Sequence, residues 1–432
     1  MSLAVKQRVA IVGSGWAGFT LASTLAPNKF DITVVSPHPT CTYTPLLASA
    51  ACGKFAFYLA EEPLRSRRRN INFIKGTVSN VNFPSQTLRC TPAFDEAASS
   101  GAITEAFDVP YDKLILAPGC MPNTFGTPGV QENAQFIRTV ADARNLRARL
   151  FDQLEKASLP GLSDQQQREL LHIIIVGGGP TGIEICAEAY DLVQKDLVHL
   201  YPGIADKISI AIHDVAPHIL SAYDEKLYEY ARERLVERKI DVRTESHIEK
   251  VEKDAMFTKE EGRIPCGLVI WATGNKAIPL VESLDAKKPE KGLPRILTDP
   301  RLRVLKPASK DQNSAEQQET WPGVYGLGDA CDIEGKPLPT TAEVATQKAE
   351  YLGKVLNEDD QTTPFKYHQK GMVTYIGNHD GVIQEGEWTG QAAWAAWRQG
   401  SLTWTRSWRT RAMIICTWVL NSLFGSEITR GR

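Results

Sequence analysis

Apolar residues in this chain fall into short unbroken runs, each bounded by glycine or by a polar stretch. Residues 8 to 12 (RVAIV) and 32 to 35 (ITVV) are two such runs, and the span between them suits one helix. The arrangement repeats later: IIIV at 173 to 176, a helix predicted from 181 to about 193, then a strand at 208 to 212. Short apolar runs alternating with helix-length segments predict β-α-β units and a parallel sheet, hence an α/β fold. Between the two units, FIKGTVSNVNF and YDKLILAPG read as short strands around a polar piece at 91 to 106. NTFGTPG at 123 to 129 is rich in turn formers and makes a plausible domain exit. Further along, 140 to 170 reads as charged helix interrupted at Leu159, Pro160 and Gly161. An amphipathic helix at 223 to 239, strand at 240 to 251, LVIWATG at 268 to 274 and VYGLGD at 324 to 329 follow. A surface insertion is expected at 306 to 320.

In both β-α-β units the first strand runs straight into glycines: Gly13, Gly15 and Gly18 in the first, Gly177, Gly179 and Gly182 in the second. This is the G-x-G-x-x-G spacing, in which one glycine makes the tight turn, one lets a pyrophosphate touch backbone, and one lets helix and strand pack closely. The helix that follows presents free N–H groups to the phosphates. One such turn is a weak signal. Two, about 160 residues apart, imply two bound dinucleotides and an exchange of hydride between them.

Two positions refine the ligands. An acidic residue commonly ends the second strand and holds the ribose hydroxyls; in the first unit Ser36 takes that place, and in the second Asp214 follows the strand. A carboxylate there accepts both ribose hydroxyls and repels a 2′-phosphate, which favours NADH over NADPH. Asp329, after a Gly-x-Gly turn, suits a ribityl hydroxyl or flavin phosphate, or a helix cap.

Composition narrows the class. The chain has 432 residues, 42% hydrophobic and 23% charged, enough for substantial cores in about three domains. A formal net charge of -2 argues against a nucleic-acid binder. Eight dispersed cysteines show no C-x-x-C and no zinc spacing, so they read as reduced thiols, with no metal site. The basic run at 65 to 69 reads as a solvated face. A strand begins almost at the N-terminus, and no transit peptide is visible before it.

The combination GSGWAG, YDKLILAPG, GGGPTGIE, WATGN and YGLGDA resembles the two-dinucleotide-domain, glutathione-reductase-like flavoproteins. The chain is more specifically similar to the type II (alternative, non-proton-pumping) NADH:ubiquinone oxidoreductases, particularly the fungal kind. That likeness rests on SP at 36 to 37, YTPLL at 43 to 47, PNTFGTPGV at 122 to 130, LPGLS at 159 to 163, AYDEKL at 222 to 227, LPTTAEVATQKAEYL at 338 to 352 and PFKY at 364 to 367. The resemblance implies FAD contacts at Gly13, Gly15, Gly18, Ser36, Thr44, Pro45, Gly119 and Asp329. For NADH it implies Gly177, Gly179, Gly182, Glu184 and Asp214. Glu184 is implied to lie near the nicotinamide and flavin rings as a proton-handling or substrate-positioning group; from the residues alone it would equally be a solvent-facing helix carboxylate. AEVATQ at 342 to 347 occupies the quinone-pocket motif A-Q-x-A-x-Q, which nominates Glu343, Thr346 and Gln347. Glu343 replaces the motif's first glutamine, and HPTCT at 38 to 42 departs from the family's basic and aromatic loop. The implied organisation is an FAD-binding domain at 1 to 137 and 283 to 360, an NADH-binding domain at 138 to 282, and a C-terminal docking region at 361 to 432.

Residues 391 to 432 carry six arginines (398, 406, 409, 411, 430, 432) against Glu427, and five of the nine tryptophans. Trp404, Trp408, Ala412, Ile415 and Val419 recur as one helical stripe. Tryptophan suits the headgroup level and arginine pairs with anionic lipid, so the region reads as an amphipathic helix lying on a membrane. Its longest nearly apolar run, 412 to 424, is too short for a span, which needs about 20 residues. The alternative is burial against the chain's own core or a dimer mate, and a homodimer could present two such helices to one bilayer face. The expectation is an FAD-dependent NADH:quinone oxidoreductase, peripheral on the mitochondrial inner membrane. Its rivals are a soluble NAD(P)H-dependent flavin or ferredoxin reductase and an NADH-sensing flavoprotein like apoptosis-inducing factor.

Overall fold

The structure, a computed structural model, describes residues 5–67, 71–94, 105–307, 319–360, 362–426 and 428. Most of the insertion expected at 306 to 320, the end of the basic run at 65 to 69, much of the polar piece at 91 to 106, and Glu427, Arg430 and Arg432 lie outside the described residues. The chain forms two compact units. One comprises Met1–Thr42, Pro63–Met121 and Asn275–Gln369; the other comprises Tyr43–Glu62, Pro122–Gly274 and Lys370–Arg432.

The first unit is built on a ten-stranded sheet. Its centre is parallel: Gln7–Val12 lies between Phe30–Ser36 and Lys113–Leu116, with Val9 opposite both Ile32 and Lys113. Ile71–Asn82 extends it on one side and Thr320–Gly326 on the other. Strands Thr87–Pro92 and Phe107–Pro110 continue one edge antiparallel. Unbroken apolar runs are what such a centre demands, because both faces are covered. Ile11, Ile32, Val34 and Ile115 pack on one side with Phe19, Leu21 and Leu352, while Val12, Val35, Leu114 and Leu116 pack on the other with Val281 and Val324. Helix Trp16–Thr24 crosses between the first two strands and lies against helix Ala342–Glu358. The approach is close at Gly353, where a Cβ would meet Thr24 Oγ1 at 2.5 Å.

The second unit repeats the scheme on a smaller scale. Its parallel sheet runs in the order Asp241–Arg243, Ser209–His213, His172–Val176, Leu268–Trp271. The charged segment at 140 to 170 is two helices, Val140–Ala157 and Asp164–Leu170, each begun by a capping box: Thr139 with Asp142, and Ser163 with Gln166. The stretch 240 to 251 is not one strand. Asp241–Arg243 joins the parallel sheet and Ile248–Val251 a separate antiparallel one, with Glu245 between them at φ 53° turning the chain.

The C-terminal stripe is also divided. A first helix, Gly390–Trp404, stops where Thr405 becomes extended, and Ser407 then caps a second, Trp408–Phe424, by accepting from Thr410 N–H at 3.4 Å. Trp404 therefore belongs to a different helix from Trp408, because the capping serine and the extended Thr405 end the helix where apolar spacing alone would continue it. On the second helix Ile414 is buried, while Trp408, Ala412, Ile415 and Val419 are exposed, as are Leu423 and Phe424. Among the described residues, no helix is long and apolar enough to cross a membrane.

Candidate active site

The two glycine turns have the same construction. Gly13 has φ 101° and Gly177 φ 113°, conformations that disfavour a side chain. Each also has backbone where a Cβ would go, Ala117 and Pro118 against Gly13, Ala272 against Gly177. The third glycine of each turn, Gly18 or Gly182, has the first one's carbonyl oxygen in the place of a side chain. The middle glycine differs. Gly15 and Gly179 are the N-caps of helices Trp16–Thr24 and Pro180–Leu192, and a Cβ on either would meet nothing within 4 Å. No side chain caps either helix, so the first N–H groups remain for an anion. Protein packing thus requires glycine at the outer two positions, and a ligand backed against the turn explains it at the middle one.

Around the first turn, strand Phe30–Ser36 delivers Ser36, 4% exposed. Its hydroxyl lies 3.0 Å from Ser14 Oγ and accepts from His38 N–H at 3.3 Å, while Ser14 donates to His38 O at 2.7 Å. Ser14, inside the glycine turn, was not legible as a partner for Ser36. Gly119, at φ 74°, has open space at its Cβ position, and the neighbouring Cys120 thiol donates to Asp329 Oδ2 at 3.4 Å. Asp329 sits in the turn Gly328–Ala330, whose backbone is fixed by Arg295: Nε donates to Asp329 O at 3.0 Å, and the guanidinium pairs with buried Asp332 at 2.7 Å. A Cβ on Gly328 would touch Ala17 and Ala345, so this turn lies where the first glycine helix meets Ala342–Glu358.

Helix Ala342–Glu358 carries the three residues nominated for a quinone. Gln347 is committed within the protein: its amide donates to Glu343 Oε1 at 2.5 Å and to His368 O at 2.8 Å, and accepts from His368 N–H at 3.0 Å. Thr346 is different, since its Oγ1 is buried with no partner among the described residues. A buried hydroxyl without a partner is costly. It fits a bound polar group, and the open space at Gly15 and Gly119 separately fits FAD. On the same helix Lys348 is fully buried, its ammonium donating to Cys331 O at 3.3 Å; burial pulls it down to about 8. Thr44 and Pro45 open a short turn, Thr44–Leu46, in the second unit, with Thr44 exposed.

In the second unit Asp214 grips the glycine turn from the end of its strand. One carboxylate oxygen accepts from Gly178 N–H at 2.5 Å and the other from Ala216 N–H at 2.8 Å. Each oxygen keeps acceptor capacity for a ribose hydroxyl.

Glu184, in the second turn of helix Pro180–Leu192, is not a solvated helix carboxylate. Trp397 Nε1 donates to its Oε1 at 2.9 Å, and the Tyr375 N–H also bonds it. Burial pushes its carboxyl up to about 8; the indole bond pulls the other way, and nearby Glu188 adds to the rise. Glu188 and Asp191 follow on the same helix, both buried, and neither was singled out from the sequence. Among the described residues no cluster suits a metal ion.

The chain matches the model of the pyridine nucleotide-disulphide oxidoreductase family over residues 7–349. It is 32% identical to a probable NADH dehydrogenase of Dictyostelium discoideum, with 98% of this chain and 91% of that protein aligned. It is 31% identical to an internal alternative NAD(P)H-ubiquinone oxidoreductase A1, mitochondrial, of Solanum tuberosum, covering 98% and 88%. In fold it is similar to NDH2 from Plasmodium falciparum, solved in complex with NADH, at a TM-score of 0.87 and 23% identity, covering 98% of this chain and all of that one.

Proposed function

This chain belongs to the pyridine nucleotide-disulphide oxidoreductase family, as a type II NADH dehydrogenase, and on that premise we propose that it carries electrons from NADH through FAD to a ubiquinone-like quinone without pumping protons. The observation that carries this reading is the duplicated glycine turn, each copy fitted to a dinucleotide pyrophosphate. FAD, when bound, supplies the redox chemistry, taking a hydride and releasing two electrons. The protein's share is placement and proton supply. Gly13, Gly15, Gly18, Gly119, Ser36 and Asp329 hold FAD. Gly177, Gly179, Gly182 and Asp214 hold NADH, and the Asp214 carboxylate selects against a 2′-phosphate. Glu184 holds a proton at neutral pH, because its carboxyl titrates at about 8. Glu343, Thr346 and Gln347 line the quinone's side of the chemistry, where Gln347 acts through the backbone it fastens and Thr346 through its hydroxyl.

Anaerobic mixing tests the reading. NADH should bleach the flavin's visible absorption much faster than NADPH does, and a short-chain ubiquinone analogue should restore it. A flavin that stays oxidised in NADH overturns it.

The exposed apolar face of Trp408–Phe424, with Arg409 and Arg411 beside it, supports docking on a membrane surface. The mitochondrial inner membrane is the proposed site, with a homodimer presenting two such helices to one bilayer face. Several relatives are named as mitochondrial enzymes, which favours that location. Val419 and Leu423 are 52% and 69% exposed, so replacing both by aspartate leaves the fold's packing alone. Each loses roughly 1.5–3 kcal/mol of apolar burial in lipid. Co-sedimentation with anionic vesicles should fall by at least about 100-fold; undiminished sedimentation would remove the helix from this role.

A further inference from the structure

Lys348 lies on the core face of helix Ala342–Glu358 and is 0% exposed. A lysine is rarely buried so completely unless an acid is set against it, because an isolated ammonium is costly away from water. Among the described residues Lys348 makes no ion pair, and its hydrogen bond goes to a carbonyl, Cys331 O, at 3.3 Å. The same oxygen accepts from Arg295 Nη2 at 2.7 Å, so two cations meet on it. Arg295 has its own counter-charge in Asp332, at 2.7 Å. Asp332 is committed on both sides, since its other oxygen accepts from Ile333 and Leu338 N–H at 2.9 and 3.1 Å. The second carboxylate whose field reaches Lys348 is Asp329, in the turn assigned to the flavin.

The packing puts Lys348 against that turn. A Cβ on Gly328 would stand 3.9 Å from Ala345 Cβ, so this face of the helix abuts Gly328–Ala330. Lys348 is three residues further along and shares the face. Cys331, whose carbonyl it bonds, opens the strand Cys331–Ile333 directly after the turn.

We propose that Lys348 is a positioning residue for charge: from behind the Asp329 turn its ammonium favours the reduced flavin over the oxidised one and so raises the cofactor's reduction potential. The proposal rests on the assignment of that turn to FAD. A hydride brings the flavin two electrons and one proton and leaves NAD behind, so the reduced cofactor carries one negative charge more than the oxidised. At an effective dielectric of about 20, unit charges roughly 10 Å apart interact strongly enough to change such an equilibrium about tenfold. An ammonium with no acid paired to it is free to answer the charge that arrives.

The protonation of Lys348 gives this a pH signature. Burial pulls it down to about 8, with Arg295 adding to the fall and Cys331, Asp332 and Asp329 opposing it. Burial also pushes the Cys331 thiol up to about 12, out of this range, and helix Trp16–Thr24, packed on the same helix, has no titratable side chain. Negative charge arriving on the flavin strengthens the hold of Lys348 on its proton. By reciprocity the flavin takes electrons more readily while Lys348 is charged. The effect is therefore full below about pH 8 and is lost as pH rises through that value.

Anaerobic dithionite titration of the holoenzyme against a reference dye measures the flavin potential without NADH or quinone. In Lys348→Met, whose unbranched chain fills the space without charge, the equilibrium constant for flavin reduction at neutral pH should fall roughly tenfold, about 30 mV for a two-electron couple. The gap between wild type and variant should close as pH rises well above 8. Should that variant not fold, Glu184→Gln carries the test, because it removes the other group that titrates near 8. Its potential should still fall more steeply with pH just above 8 than on either side. A lysine that only supports the fold would weaken oxidised and reduced FAD alike and leave the potential in place. An unmoved potential in Lys348→Met, or no steeper fall in Glu184→Gln, overturns the proposal. A shifted potential in a protein that reduces no quinone upholds it and sinks the quinone reading instead.

Discussion

Gly182→Ala is expected to abolish reduction of the flavin by NADH while FAD stays bound. The added Cβ would lie 1.8 Å from the Gly177 carbonyl oxygen and 3.0 Å from its carbonyl carbon. Both are backbone atoms of the turn, so no side-chain rotation relieves the clash. The helix Pro180–Leu192 must move away from strand His172–Val176, and its N-terminal N–H groups move with it. Loss of that alignment should cost about 3 kcal/mol or more, a fall in NADH affinity of at least roughly 100-fold. Titration of anaerobic protein with NADH, followed through the flavin absorption, measures it. The glycine at 182 belongs to the second unit, so bound FAD per protein should stay at the wild-type level. Tight NADH binding in the variant would show that the helix N-terminus is not the phosphate site.

The second large effect is expected from Glu184→Gln. The native carboxyl titrates at about 8, raised chiefly by burial, so below that pH it carries a proton and above it does not. Quinone turnover that draws on this proton should be full below pH 8 and fall as pH rises through it. Glutamine can still accept the Trp397 indole bond, so the fold around it is preserved, but it cannot donate a proton. Turnover with quinone should drop by roughly 100-fold, the usual share of a general acid, and the fall near pH 8 should vanish from what remains. Stopped-flow reduction by NADH and steady-state turnover with a quinone analogue, across pH 6 to about 9, separate the two halves of the reaction. A variant with an unchanged steady-state rate would make Glu184 structural.

The parts of this molecule legible in its sequence are those whose chemistry is local. A glycine turn needs particular residues at fixed short spacings, so strand, turn and helix are readable at 8 to 18 and at 173 to 182. Asp214 is readable for the same reason, since it is defined by the strand it ends. The acids on helix Pro180–Leu192 are not. Glu188 and Asp191 look like a solvated face until Ser49, Tyr375 and Trp397, more than a hundred residues away in sequence, are folded over them. Gln347 shows the opposite case. A motif names it, but only the structure reveals that its amide is occupied by the backbone of His368. The break at 405 to 407 is hidden because the apolar stripe continues across it, and a serine cap is too common a signal to outweigh five aligned apolar residues.

Gly15 and Gly179 are the two positions in the turns where the protein itself would tolerate a methyl group. The fold is indifferent to them, so stability alone exerts no pressure to keep them bare. Selection for holding a dinucleotide is then what preserves them, and drift there would leave a sound, well-folded protein that had lost its cofactor. In a set of descendants of this chain, these two sites record whether the redox function was kept, whereas Gly13 and Gly182 record only that the fold was.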